Sequence, residues 1–112
     1  MKLSNLIAIP FLVTSVSAAE CYASYQLNQN AQMSDVWSAR ERFCDNPVVN
    51  SFIRIQESWG HIDIGHNGND PWTHCWDAFE NIINQCMQQH WQTGEWTYNG
   101  QKFWFTGTPL SK

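Results

Sequence analysis

The sequence predicts an α+β domain: a ferredoxin-like two-layer α/β sandwich with two helices on an antiparallel sheet and two disulfides. The hydrophobic patterns run strand, helix, strand, strand, helix and terminal hairpin. Residues 69–91 repeat apolar side chains at helical spacing, and the chain holds four cysteines. Because crossover connections are right-handed, this order favours the ferredoxin-like arrangement, with the C-terminal strand added at one edge. A disulfide-stapled α+β domain of another topology is the alternative.

Residues 1–19 have the pattern of a cleaved secretory signal peptide. Lys2 precedes a short apolar run, and small residues end at Ala18 and Ala19. The run is shorter than the roughly 20 apolar residues that a membrane anchor needs. Cleavage after either alanine fits, and we take Ala19, which leaves residues 20–112 as one domain. We therefore expect a secreted protein without membrane insertion.

The charge of the remaining domain argues against a nucleic-acid partner. The leader removes Lys2 and leaves five Lys and Arg against ten Asp and Glu, a net charge of −5. Proteins that bind a phosphate backbone usually present a basic face. The seven Trp, three Tyr and six Phe of the chain supply the large apolar area that a small core needs.

The first part of the domain predicts a strand and a helix. Residues 21–27 alternate as a short strand. Residues 35–44 place apolar side chains at helical spacing, with Ser34 as the N-cap and Pro47 beyond the end.

The next segment, residues 49–64, alternates β-branched and polar residues around a turn and predicts a hairpin. Trp59 lies at this turn, where an exposed indole would suit sugar stacking or a protein interface. Glu57, Arg54 and His61 are the residue types that guanyl-specific ribonucleases use, as a base and an acid beside a phosphate held by Arg. A solvated polar strand is the favoured interpretation, because the three do not share one alternating face and the domain is acidic.

The long helix predicted over residues 69–91 is expected to be the hub of the core. Asp70 can cap it, and Pro71 suits a first turn, where its missing N–H costs nothing. Its buried face is expected to carry the apolar residues that recur every three or four positions: Trp72, Cys75, Trp76, Phe79, Ile82, Ile83, Cys86, Met87 and Trp91.

The four cysteines predict two disulfides, as is typical of an even number in a short exported chain. Cys75 and Cys86 would lie about 16 Å apart along one helix, whereas a disulfide needs Cα atoms within about 7 Å. Two pairings stay open: Cys21–Cys86 with Cys44–Cys75, which we favour, or Cys21–Cys75 with Cys44–Cys86. A zinc site is the alternative, but no close cysteine pair supports it. We predict no metal and no cofactor.

The terminal hairpin is predicted around Asn99 and Gly100, which suit a two-residue type I′ turn. Counting outward from the turn pairs Thr97 with Lys102 and puts Trp104 on the same face. The opposite, core-facing side then carries the other aromatic residues of the hairpin: Trp96, Tyr98, Phe103 and Phe105. Trp104, Lys102 and Thr97 are therefore predicted to form a binding surface along a sheet edge, and Trp59 is a further candidate binding residue.

The motif CWDAFENIINQC at residues 75–86, followed by GEWTYNG at 94–100 and an aromatic strand, resembles small secreted fungal effectors. Within them it is most similar to the group with the killer-toxin-type α/β sandwich, which includes the secreted-in-xylem effectors that work in pairs. The resemblance implies a non-enzymatic virulence or avirulence protein that binds a protein of a plant host, alone or beside a second effector. It also implies a monomer or small heterodimer, in the host apoplast or in host cells after delivery. A secreted antimicrobial or killer-toxin-like protein and a small ribonuclease-like hydrolase are the alternatives.

Overall fold

The computed structural model describes residues 18–26 and 33–110. Its elements, in chain order, are strand β1 (Glu20–Gln26), helix α1 (Met33–Asp45), strands β2 (Ser51–Glu57) and β3 (Gly60–Asn67), helix α2 (Cys75–Gln85), a 3-10 turn (Met87–Gln89), and strands β4 (Trp91–Tyr98) and β5 (Gln101–Pro109). The strands form one antiparallel sheet in the order β1-β4-β5-β3-β2. Both helices pack on one face of it. The prediction of two helices on an antiparallel sheet with two disulfides is confirmed.

The position of the C-terminal strand differs from the prediction. β5 lies in the middle of the sheet, paired with β4 on one side and with the whole of β3 on the other, from Gly60 opposite Pro109 to Asn67 opposite Lys102. The predicted edge position is therefore wrong. A strand that buries large aromatic rings contributes most to stability where strands flank it on both sides, because more apolar area is then removed from water. β1 is an edge strand beside β4, and the ferredoxin-like arrangement is not confirmed.

The core lies between the helices and the sheet, with Phe79 of α2 at its centre. The Phe79 ring makes edge-on contacts with Phe43 of α1 at 5.5 Å and with Phe103 of β5 at 5.5 Å between centroids. The predicted alternation of the terminal hairpin is confirmed for Trp96, Phe103 and Phe105, which are all buried against the helices. Tyr98, predicted to face the core with them, is exposed. Asn99 and Gly100 both have positive φ, as a type I′ turn requires.

The helix α2 is shorter than predicted at both ends. Asp70 Oδ1 accepts the backbone N–H groups of Trp72 and Thr73, at 3.0 and 3.1 Å, and so closes a turn ahead of the helix. The helix begins only at Cys75. Because Trp72 precedes it, that indole is 57% exposed, and Trp76 is also exposed. The prediction that both face the core is wrong.

Two disulfides tie α2 to the rest of the chain. Cys21 of β1 is bonded to Cys86, just after α2, and Cys44 of α1 is bonded to Cys75, the first residue of α2. This is the first of the two pairings that the sequence left open. The described part of the chain contains no free cysteine.

The remaining predicted boundaries shift by a few residues. The helix α1 begins at Met33, so Ser34 lies inside it and is not its N-cap. Val49 lies in the turn before β2 and is exposed. Leu27 and most of the predicted signal peptide lie outside the described residues. In the part of the chain that is described, neither helix combines the length and the apolar character needed to cross a membrane.

Candidate binding surface

One face of the sheet carries the helices, and no described element covers the other, which we call the open face. Side chains alternate between the faces of a strand. Every second residue of β2 to β5 therefore points to this open face, on which these four strands place aromatic, charged and hydroxyl groups side by side.

The centre of the open face is an aromatic row formed by Trp104, Gly65 and Phe52. The three stand directly opposite one another on β5, β3 and β2. The Trp104 and Phe52 rings lie 5.5 Å apart at a tilt of 48°. They close over Gly65, where an added Cβ would lie 2.5 Å from Phe52 Cβ and 2.7 Å from Trp104 Cζ2. The row therefore depends on glycine at this position.

An ion pair flanks the aromatic row on one side. Arg54 of β2 donates from Nε to Asp63 Oδ1 at 2.8 Å and from Nη2 to Oδ2 at 2.9 Å. These hydrogen bonds, together with the negative charge of Asp63, raise the pKa of Arg54. His61 Nε2 lies 3.9 Å from Asp63 Oδ2. Asp63 was not among the predicted site residues, although counting back from the β2–β3 turn places it opposite Arg54.

A second set of polar groups lies beyond the row, toward β4 and β1. Lys102 Nζ is 3.5 Å from Glu95 Oε2, and Thr97 stands opposite Lys102. On β1 the Tyr22 hydroxyl donates to Glu20 Oε1 at 2.5 Å. This hydrogen bond is the largest cause that raises the pKa of Tyr22 to about 12, followed by desolvation and the charge of Glu95.

The structure brings three of the four predicted binding residues onto the open face: Trp104, Lys102 and Thr97. Trp104 is half-buried against Phe52 and lies on a central strand, so its predicted place along a sheet edge is wrong. Phe52, which is 48% exposed on the edge strand β2, was not selected from the sequence.

Trp59 lies elsewhere and is not exposed. It is buried, and its indole Nε1 donates to Asp35 Oδ2 of α1 at 2.9 Å. The β2–β3 turn folds against α1, so the indole contributes to the core and to one hydrogen bond. The prediction of an exposed Trp59 is wrong.

The residues of the ribonuclease hypothesis do not converge. Arg54 and His61 lie on the open face, but Glu57 alternates onto the helix-covered face with Ile55. Arg54 donates from Nε and Nη2 to the two carboxylate oxygens of Asp63. These guanidinium donors are therefore not free to bind a phosphate. Within residues 18–26 and 33–110, no group of three or more His, Cys, Asp or Glu is arranged to hold a metal ion.

Comparison with known proteins identified no relative of this chain. No protein-family model, no curated protein and no solved structure matches this chain.

Proposed function

We propose that this protein is a secreted fungal effector that binds a protein of a plant host through the open face of its sheet. The aromatic row of Trp104 and Phe52 is the observation that carries this proposal. Secretion follows from the leader pattern, and two disulfides are compatible with an extracellular protein. The fungal source, the plant host and a pairing with a second effector rest on the resemblance to the killer-toxin-type group.

The aromatic row has the composition of an interface hot spot. Trp is enriched among the residues that carry most binding energy, and it acts best where neighbouring contacts exclude water. Trp104 is held by Phe52 before any partner arrives, so little conformational entropy is lost on binding. The flanking charges, Arg54 with Asp63 and Lys102 with Glu95, are neutralised in pairs and provide the polar rim of such an interface.

The edge strand β2 extends the same surface. Phe52 lies on β2, and the outer side of this strand has no neighbour in the described sheet. A strand of a partner protein that paired with β2 would place its side chains next to Phe52. The other edge is less regular, because the β1–β4 register shifts between Tyr22 and Gln26. The β2 edge therefore suits strand addition better.

A non-enzymatic role agrees with the charges of the open face. The Arg54 guanidinium is committed to Asp63, and Glu57 lies on the other face of the sheet. A hydrolysis assay on RNA, with Glu57→Ala as the control, distinguishes the proposed binding protein from a ribonuclease-like hydrolase. A growth assay on competing microbes distinguishes it from an antimicrobial toxin.

The direct test is partner capture followed by a binding measurement. The mature protein is immobilised, a plant-tissue extract is passed over it, and the captured protein is purified and titrated against variants. Trp104→Ala is expected to weaken binding about thirtyfold or more, since truncating a hot-spot Trp typically costs about 2 kcal/mol or more. Circular dichroism checks that the variant remains folded.

The matched control is Trp76→Ala, which removes an exposed indole from the helix layer, on the opposite side of the molecule. It is expected to leave affinity unchanged. If Trp76→Ala weakens binding as much as Trp104→Ala, or if neither does, the open face is not the binding surface.

A further inference from the structure

A polar groove lies at one end of the sheet, away from the aromatic row. It has a volume of about 520 Å³ and opens to solvent. Three connections form it: the turn before β2, the loop after β3 and the β4–β5 turn. Its lining residues are all uncharged: Asn50, Gly68, Asn69, Asn99, Gly100 and Gln101.

Internal hydrogen bonds fix the orientation of the amide side chains in this groove. Asn50 Oδ1 accepts the backbone N–H of Gly68 at 3.1 Å, and Asn69 Oδ1 accepts Gln101 Nε2 at 2.9 Å. Both oxygens are therefore engaged within the protein. The NH₂ groups of Asn50 and Asn69 have no protein partner among the described residues, so the groove offers amide donors.

Gln101 is held in place from the interior. Its Oε1 accepts the backbone N–H of Asp70 at 2.9 Å and contacts His66 Nε2 at 2.6 Å. Because an oxygen must face the Asp70 N–H, the amide cannot be flipped, and His66 carries its proton on Nε2. His66 is fully buried, with its ring 4.8 Å from Phe103. Asn69 is thus tied through Gln101 to the core, and its NH₂ group needs no rearrangement to bind.

Two exposed aromatic residues lie close in the chain to the residues of the groove. Tyr98 precedes Asn99 and is 41% exposed, with its ring supported by His74 at 4.7 Å. Trp72, three residues after Asn69, is more exposed still. Exposed rings of this kind offer flat apolar faces to a ligand.

We propose that this groove binds a neutral oligosaccharide. Fixed amide donors match the hydroxyl, ring and glycosidic oxygens of a sugar, and neighbouring aromatic rings can pack on the C–H face of a pyranose. An anionic ligand is disfavoured, because the lining holds no cation and Asp70 stands beside it. Hydrogen bonds from the side chain and backbone of Thr73 lower the pKa of Asp70 and keep it charged.

The test measures binding of defined sugars by NMR. The ¹⁵N-labelled mature protein is titrated with cellotetraose, with chitotetraose and, as the acidic arm, with tetragalacturonate. At least one neutral sugar is expected to shift the side-chain amide signals of Asn50, Asn69 and Gln101, and tetragalacturonate is expected to bind at least tenfold more weakly.

Asn69→Asp is the decisive variant. It keeps the oxygen that accepts from Gln101 but replaces the NH₂ donors with a charge. The affinity for the neutral sugar is therefore expected to fall at least tenfold. Asn84→Asp on α2 is the matched control, because Asn84 Oδ1 also accepts a glutamine Nε2, that of Gln88 at 3.0 Å. The affinity of the Asn84→Asp variant for the neutral sugar is expected to stay unchanged.

The proposal is overturned if no neutral sugar shifts the groove signals at millimolar concentration, or if both variants lose affinity equally. Stronger binding of tetragalacturonate than of either neutral sugar also overturns it. None of these outcomes affects the protein-binding surface, because no residue of the groove belongs to the aromatic row.

Discussion

At the scale of single residues, Gly65 determines the shape of the open face. Its missing side chain lets Trp104 and Phe52 approach from the neighbouring strands. A Cβ there would also lie 2.7 Å from the carbonyl oxygen of Ser51, which is backbone and cannot move aside easily. One methyl group would therefore disturb the sheet and the indole together.

Gly65→Ala is expected to cost about 1–3 kcal/mol, the usual range for overpacking, and to shift the NMR signal of the Trp104 indole. Urea unfolding and an indole NMR spectrum measure the two effects. Gly100→Ala is the comparison, since a Cβ there meets open space but the residue has a φ of +78°. It is expected to lose some stability without shifting the Trp104 signal. A Gly65→Ala variant with an unchanged indole signal would contradict the close contact.

Tyr22 provides a test at alkaline pH. Its pKa is raised to about 12 from 10.0, first by the hydrogen bond to Glu20. The folded state therefore holds this proton more tightly than the unfolded chain. The resulting stability is present below pH 10 and is lost as the pH rises from about 10 to 12.

Ultraviolet titration follows the phenolates of all three tyrosines, and the part that changes on removal of the Glu20 carboxylate reports Tyr22. Glu20→Ala removes the acceptor, so the Tyr22 pKa is expected to fall toward its ordinary value. Glu41→Ala, at an exposed position on α1, is the control and is expected to leave the titration unchanged. Equal titration curves for the wild type and Glu20→Ala would mean that the hydrogen bond is absent in solution.

At the scale of elements, α2 connects the two layers. Its existence and its buried face around Phe79 were predictable, because apolar side chains at helical spacing bury only one face. Its beginning was not predictable. Asp70 suited a helix cap by residue type, but it closes a separate turn, which leaves Trp72 outside the helix. Local sequence could not distinguish these two uses of the same hydrogen-bond acceptor.

Phe79→Ala is expected to cost about 3–5 kcal/mol, because its ring is fully buried among Phe43, Phe103 and Phe105. Asp77→Ala, on the exposed side of the same helix, should cost less than about 1 kcal/mol, mostly its attraction to the helix N-terminus. Chemical unfolding of both variants measures the difference. Equal losses would mean that the helix buries its other face.

The disulfides at the two ends of α2 are expected to leave no alkylatable thiol in the mature protein. Peptide mapping should find Cys21 linked to Cys86 and Cys44 linked to Cys75. The bonds join residues 65 and 31 positions apart, so each is expected to stabilise the fold by roughly 2–4 kcal/mol by restricting the unfolded chain. Alkylation of two or more cysteines without reduction would contradict the presence of both disulfides.

At the scale of the whole molecule, strand order was the hardest property to predict. The two hairpins were predictable, because turn residues and alternation lie close together in the sequence. The β3–β5 pairing joins strands separated by α2 and β4, and no local pattern specifies it. The binding surface was predictable only in part for the same reason. Counting from the turn placed Trp104 on the correct face of its hairpin, but its contact with Phe52 depends on the long-range β3–β5 pairing.

The central place of β5 has a consequence for how the chain matures. All four cysteines precede residue 87, whereas β5 begins at Gln101. In a chain exported from its N-terminus, both cross-links can therefore form before the middle strand arrives. Until then β3 and β4 each lack a neighbour, and their backbone groups are open to pairing with other chains. A protease that cut the β4–β5 turn early would leave an oxidised product whose sheet had lost its middle strand. The yield of folded protein would then depend on how soon β5 pairs with β3 and β4.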